Sequence, residues 1–101
     1  MIIKIIKSPV RHKRFRVFMD NGKHYDFGLD GGRTFIDEGD YEKRHNYWMR
    51  HLANPTEYKL INNLVPSPSL FAAYLLWGSS MRLEENINKL NNLWKIKHRN
   101  I

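Results

Sequence analysis

The sequence predicts an α+β fold: an N-terminal antiparallel β-hairpin or three-stranded sheet packed on three to four C-terminal helices. Three observations carry this prediction. Apolar residues alternate on both sides of Asp20-Asn21-Gly22, helix caps and helical spacings fill the second half, and residues 70–77 are apolar on every side.

The hairpin comes first. Phe15, Val17 and Met19 alternate with Arg14, Arg16 and Phe18, and Tyr25 and Phe27 alternate after the turn. A two-residue Asn-Gly loop would pair Met19 with His24 and put Tyr25 and Phe27 on the face opposite Val17. A three-residue loop with Gly22 in the left-handed conformation pairs Met19 with Lys23, Val17 with Tyr25 and Phe15 with Phe27. Only this register gathers the apolar side chains on one face, so the three-residue loop is expected. Residues 2–6 supply the third strand, because an isolated hairpin is seldom stable in water.

Residues 29–39 read as a loop rich in glycine and acids. A helix follows with Asp37 or Asp40 as its N-cap, presenting Tyr41, His45, Trp48 and Leu52 on one face and ending at Asn54-Pro55. Residues 56–65 form one short helix presenting Leu60, Ile61 and Leu64. Ser67-Pro68 starts the next, a capping hydroxyl followed by proline in the first turn. Residues 70–77 make it the central core helix, with Leu76 and Trp77 inside and Gly78 closing it. A last amphipathic helix carries Leu83, Ile87, Leu90 and Trp94 and runs into a basic tail over residues 97–101. The whole chain is one domain: hairpin region 1–28, loop 29–39, helical region 40–96 and tail.

The 101 residues contain no cysteine, which excludes disulfides, thiolate metal sites and cysteine nucleophiles. Lys7 interrupts the apolar start too early for a signal peptide, so secretion is not expected. The longest apolar run is less than half of a membrane span, so no membrane-crossing segment is expected either. The net charge of +7 is unevenly spread. Residues 1–24 hold seven lysines and arginines against Asp20 alone, whereas residues 26–42 hold six acids against Arg33. The pattern is basic, acidic, then basic again, which suits a charged partner, nucleic acid or protein.

Two groups of residues are candidates for contacting that partner. Arg11, Lys13, Arg14 and Arg16, with the basic C-terminal residues Lys95, Lys97 and Arg99, are the candidate polyanion or partner-binding set. Asp30, Asp37, Glu38 and Asp40 form a candidate acidic contact loop. Each has a plainer reading: lysine and arginine discourage edge-to-edge strand pairing, and acids at a helix start complement its dipole. The acids at 37–42 do not follow the pattern of a calcium loop, and His45 and His51 fall on different helix faces, so no metal is expected. His24 and Asp26 share a strand face, but no partner serine or cysteine completes a triad. Glu57-Tyr58-Lys59 resembles the tail of a nuclease motif with no aspartate convincingly placed before it, and Gly28 to Gly32 lacks the lysine and hydroxyl of a phosphate-binding loop. No catalytic residue and no cofactor is assigned, and the chain reads as a non-enzymatic binding protein.

The order of Phe15-Arg16-Val17, Asn21-Gly22-Lys23, Asp26-Phe27-Gly28, Lys43-Arg44, Arg50-His51, Leu75-Leu76-Trp77-Gly78 and Leu83-Glu84-Glu85 with Ile87 resembles a family of small uncharacterised proteins of nucleocytoplasmic large DNA viruses, the algal and amoebal giant viruses. Phe71, Ala73 and Tyr74 stand where those relatives tend to carry a tryptophan and an arginine. The resemblance implies a viral structural protein, a minor virion or capsid component binding other virion proteins, with major capsid protein as one candidate among them. The alternative it leaves is a small basic protein bound to DNA or RNA, associated with the viral genome or transcription machinery. The implied location is the virion, with the host cytoplasm or viral factory as the alternative.

Overall fold

A computed structural model describes residues 1–99, with side chains as far as residue 98. Strands β1 (Ile2–Lys7), β2 (Lys13–Met19) and β3 (His24–Leu29) form one antiparallel sheet in the order β1-β2-β3. Five α-helical segments follow: α1 (Phe35–Glu38), α2 (Tyr41–Leu52), α3 (Pro55–Asn62), α4 (Pro68–Phe71) and α5 (Leu83–Arg99). Residues Ala72–Leu76 continue α4 as a π-helical turn. The fold is α+β, as the patterning predicts.

The hairpin has the three-residue connection. Val17 pairs with Tyr25 and Phe15 with Phe27. The Met19 N–H donates to the Lys23 carbonyl at 2.8 Å, and Gly22 turns the chain at φ +85°. A side chain there would be strained by the backbone alone. Val17 and Phe27 are fully buried, and Phe71 anchors the helical layer against them. Its ring lies 5.4 Å from Tyr25, 5.7 Å from Phe27 and 6.3 Å from Trp94, centroid to centroid. β1 is an edge strand, and α5 holds one end of it. The Asn91 side-chain amide accepts the Ile2 N–H at 2.9 Å and donates to the Ile2 carbonyl at 3.0 Å, standing in for a strand neighbour.

Two helix caps are those the sequence proposes, Asp40 rather than Asp37 capping α2 and Ser67 capping α4; Asn54, expected only to end α2, also caps α3. Five features differ from expectation. α3 ends at Asn62, so Leu64 lies beyond it, at φ +54°. Residues 29–39 are not all loop, because Phe35 is buried at 2% exposure and residues 35–38 coil into α1 beneath it. The inward face of α2 is rotated. Tyr41 is 76% exposed and His45 is exposed, while Arg44, Tyr47, Trp48 and His51 are half-buried. The rotation follows from what the π-turn offers α2: a flat indole for Tyr47 to stack on and open carbonyls for Arg44 and Trp48. Trp77 is half-buried at the edge of the core, whereas Leu76 is inside it. Residues 97–99 of the expected tail are the last turn of α5. Among the described residues no helix is long and apolar enough to cross a membrane.

Candidate functional site

The π-turn sets up the site. A π-helix bonds each N–H five residues back, and here the Trp77 N–H reaches the Ala72 carbonyl at 3.2 Å. The helix end leaves carbonyls without intrahelical donors. Side chains from two other helices satisfy three of them. Arg44 Nε donates to the carbonyls of Trp77 and Gly78, both at 3.0 Å, and Trp48 Nε1 donates to that of Trp77 at 2.8 Å. Asn86 of α5 is 1% exposed and donates to the Leu75 carbonyl at 3.0 Å. Tyr47 stacks on Trp77 with centroids 4.6 Å apart and planes within 9°.

Helices α2 and α5 thus grip one turn from two sides without closing over it. Between them lies a groove of about 540 Å³. Trp48 and Tyr74, in edge-to-face contact at 5.4 Å, make its aromatic wall, and Leu93 adds an aliphatic one. Arg44 and Lys89 also line it, and among the described residues no carboxylate does. Burial pushes the Tyr74 phenol above its ordinary pKa, so that ring stays neutral. An apolar cleft with two cations and several amide and backbone groups can take an apolar side chain together with a negative charge. Nothing in the order of the sequence announces this site. Its two cations are 45 positions apart, and sequence reasoning assigns neither to a site.

The residues singled out by their charge behave differently. Arg14 holds Asp37 through two bonds of 2.7 and 2.6 Å. Arg16 holds Asp26 through bonds of 3.0 and 3.1 Å, and the Ser8 hydroxyl donates to the same carboxylate at 2.6 Å. Asp26 therefore serves Arg16 and Ser8 rather than His24. Glu38 takes Lys43 at 3.1 Å and Arg33 at 3.6 Å, and Asp40 caps α2. Much of the acidic segment is thus spent inside the molecule. Asp30 is exposed, with its N–H donating to the His12 carbonyl at 3.0 Å. Arg11 and Lys13 are exposed at the β1–β2 turn. Lys95 borders a depression with Met1 and Asp20 at the opposite end of the sheet, and Lys97 donates to the Asn63 carbonyl. The two basic clusters do not form one surface. The side chain of Arg99 lies outside the described residues.

The Arg14–Asp37 pair has a measurable consequence. Hydrogen bonds from Arg14 hold the Asp37 carboxyl well below the usual carboxylate range; burial opposes them, and bonds from the Thr34 N–H and hydroxyl add to the lowering. A carboxylate depressed in the folded state stabilises the protein above its unfolded pKa of about 4. That stabilisation is lost as the pH falls through the lower folded value. Asp37→Asn should therefore cost about 1 kcal/mol at neutral pH and flatten the acid limb of stability. Urea midpoints measured from neutral pH downward check this, and an unchanged acid limb would contradict the pairing.

Residues 3–51 match a family described as "Family of unknown function (DUF5754)". The match spans the sheet, α1 and nearly all of α2, so it includes Arg44 and Trp48 and stops short of Lys89. No curated protein and no solved structure matches the chain.

Proposed function

We propose that this protein is a non-enzymatic docking protein that holds an acidic, apolar segment of a neighbouring protein in the groove between α2 and α5. The observation that carries the reading is the groove itself, with an aromatic wall, two cations and no carboxylate. The resemblance to proteins of large DNA viruses supplies the context. In it the protein is a minor virion component and the neighbour another shell protein, the major capsid protein being the natural candidate. Charge complementarity of this kind fixes orientation and speeds encounter more than it adds affinity, which suits assembly beside a shell lattice.

One observation favours a second reading, binding to DNA or RNA. With the acids at 26, 37 and 38 paired internally, the exposed Arg11 and Lys13 stand without a described carboxylate partner. Two titrations separate the readings. A peptide with a phenylalanine flanked by glutamates should bind, quenching tryptophan fluorescence, and Lys89→Glu should weaken it at least about tenfold, a loss of about 1.4 kcal/mol. A generic duplex should bind negligibly at physiological salt. Duplex binding that falls steeply with salt and vanishes in Arg11→Glu/Lys13→Glu, with no peptide binding, would replace the docking reading by the nucleic-acid one.

A further inference from the structure

A second cleft, of about 410 Å³, opens where the β1–β2 turn meets α2, α3 and the start of α4, and His12, Lys13, Tyr47, His51, Glu57 and Ser69 are among the residues lining it. His51 is held there on two sides. Its Nδ1 lies 2.9 Å from both carboxylate oxygens of Glu57, to which the Ser69 hydroxyl also donates at 3.4 Å. Its ring packs on Tyr47 at 4.0 Å between centroids, and Tyr47 packs on Trp77 in turn. Nε2 makes no hydrogen bond to any described residue. A histidine oriented by a carboxylate through one nitrogen presents the other to a ligand.

The turn supplies a second, independent sign. His12 adopts φ +68°, the left-handed region that glycine or asparagine occupies with less strain. The conformation is fixed from both sides, by the Lys13 N–H on the Val10 carbonyl at 3.1 Å and the Asp30 N–H on that of His12 at 3.0 Å. Strain of this sort, over-determined by its surroundings, collects at ligand sites.

We propose that His12, Lys13 and His51 form a binding site for a phosphomonoester group. Two imidazoles and an ammonium bring N–H donors to one cleft, and a tetrahedral oxyanion offers three oxygens to meet them. The Glu57 charge is engaged by His51 and Ser69. A monoester suits the site better than a nucleic-acid strand. It carries nearly two negative charges at neutral pH, and the Tyr47 ring, packed between His51 and Trp77, leaves no free face for a base to stack on. With Nδ1 given to Glu57, His51 donates from Nε2 only when it carries both protons. The titratable groups facing the ring are Tyr47 on α2, Glu57 on α3, and His12 and Lys13 on the turn. Burial, with help from Glu57, pushes the Tyr47 phenol up to about 12, so it stays neutral.

The site is independent of the docking groove, and the experiment keeps the two apart. Inorganic phosphate and a 5′-mononucleotide are titrated separately into the whole protein, followed by the histidine ring signals in nuclear magnetic resonance and by calorimetry. Both ring signals should move together. His51→Gln and Lys13→Ala should each weaken binding at least about tenfold, while the groove variant Lys89→Glu leaves it unchanged. Lys13 is exposed, so its variant keeps the test open if His51→Gln fails to fold. Equal affinity for the two probes identifies free phosphate as the ligand, and tighter nucleotide binding identifies an ester. Ring signals that stay still at millimolar phosphate, affinity unaltered in Lys13→Ala, or a diester-only oligonucleotide that binds as well as either probe would overturn the proposal.

Discussion

Gly78→Ala is expected to destabilise the protein by about 4 kcal/mol or more, a large part of the 5–15 kcal/mol that holds a domain together. A β-carbon at this position would sit 2.2 Å from the Tyr74 carbonyl oxygen, 2.6 Å from Asn86 Cγ and 2.7 Å from Asn86 Oδ1. Neither neighbour has room to withdraw. The Tyr74 carbonyl belongs to the backbone of the π-turn, and the Asn86 amide is bonded at both ends. Inserting a methyl group into a well-packed site typically costs 1–3 kcal/mol where side chains can give; here part of the obstacle is main chain. The effect also reaches function, because Gly78 lines the groove. Urea unfolding of the variant measures the loss directly. A midpoint shift worth less than about 1 kcal/mol would mean that the π-turn relaxes easily.

The sheet was legible in the sequence because period-two patterning has only two outcomes. A slip of one residue would have sent Tyr25 and Phe27 to the face opposite Val17, so apolar sorting was enough to choose the turn. The caps were legible for a similar reason. Ser67-Pro68 combines a side-chain acceptor with a residue that has no N–H to satisfy, and few other local structures favour that order; Asn54-Pro55 carries the same signal but was read only as the end of α2. The face of α2 was not legible. Pattern reading sends Arg44 outward, while the carbonyls left open at the π-turn draw it inward, and those carbonyls are more than thirty residues away. Nor could periodicity reveal the π-turn itself, since a segment apolar on every side looks the same whether its bonds span four residues or five. Phe35 escaped notice because Phe35-Ile36 is a two-residue apolar pair among glycines and charged residues, too short to show a period.

Charge was misleading for a related reason. Summed along the chain, residues 26–42 look like an acidic surface awaiting a basic partner. In the fold, Arg14 reaches Asp37 across 23 positions and Arg16 reaches Asp26 across 10, so the partner is the chain itself. Segment charge is a sum over neighbours in sequence, and pairing is decided by neighbours in space. What remains exposed is therefore more cationic than the segment pattern suggests. That shift weakens the argument for a protein partner drawn from the acidic segment and moves its weight onto the groove, where cations and aromatic rings meet.

Asn86→Leu should destabilise the protein by about 2–4 kcal/mol, although it places a larger apolar side chain on the buried face of α5. By pattern alone the substitution looks favourable, since Leu83, Ile87, Leu90 and Trp94 already form an apolar stripe. Asn86, however, accepts the Ser80 N–H at 3.1 Å and donates to the carbonyls of Leu75 at 3.0 Å and Ser80 at 2.8 Å. Leucine would strand three backbone groups at a site with little access to water, each costing about 1–3 kcal/mol, against a gain of about 2 kcal/mol from the added apolar burial. Gly78→Ala and Asn86→Leu should also combine non-additively. Leucine is not held in place by hydrogen bonds and can turn away from the new methyl group, whereas the clash at Tyr74 remains, so the double variant should lose less than the two single losses added together. Chemical denaturation of the two single variants and the double variant completes the cycle. A midpoint for Asn86→Leu at or above that of the unaltered protein would show that water, rather than Asn86, satisfies the end of the π-turn, and that the groove is wetter and less rigid than its geometry implies.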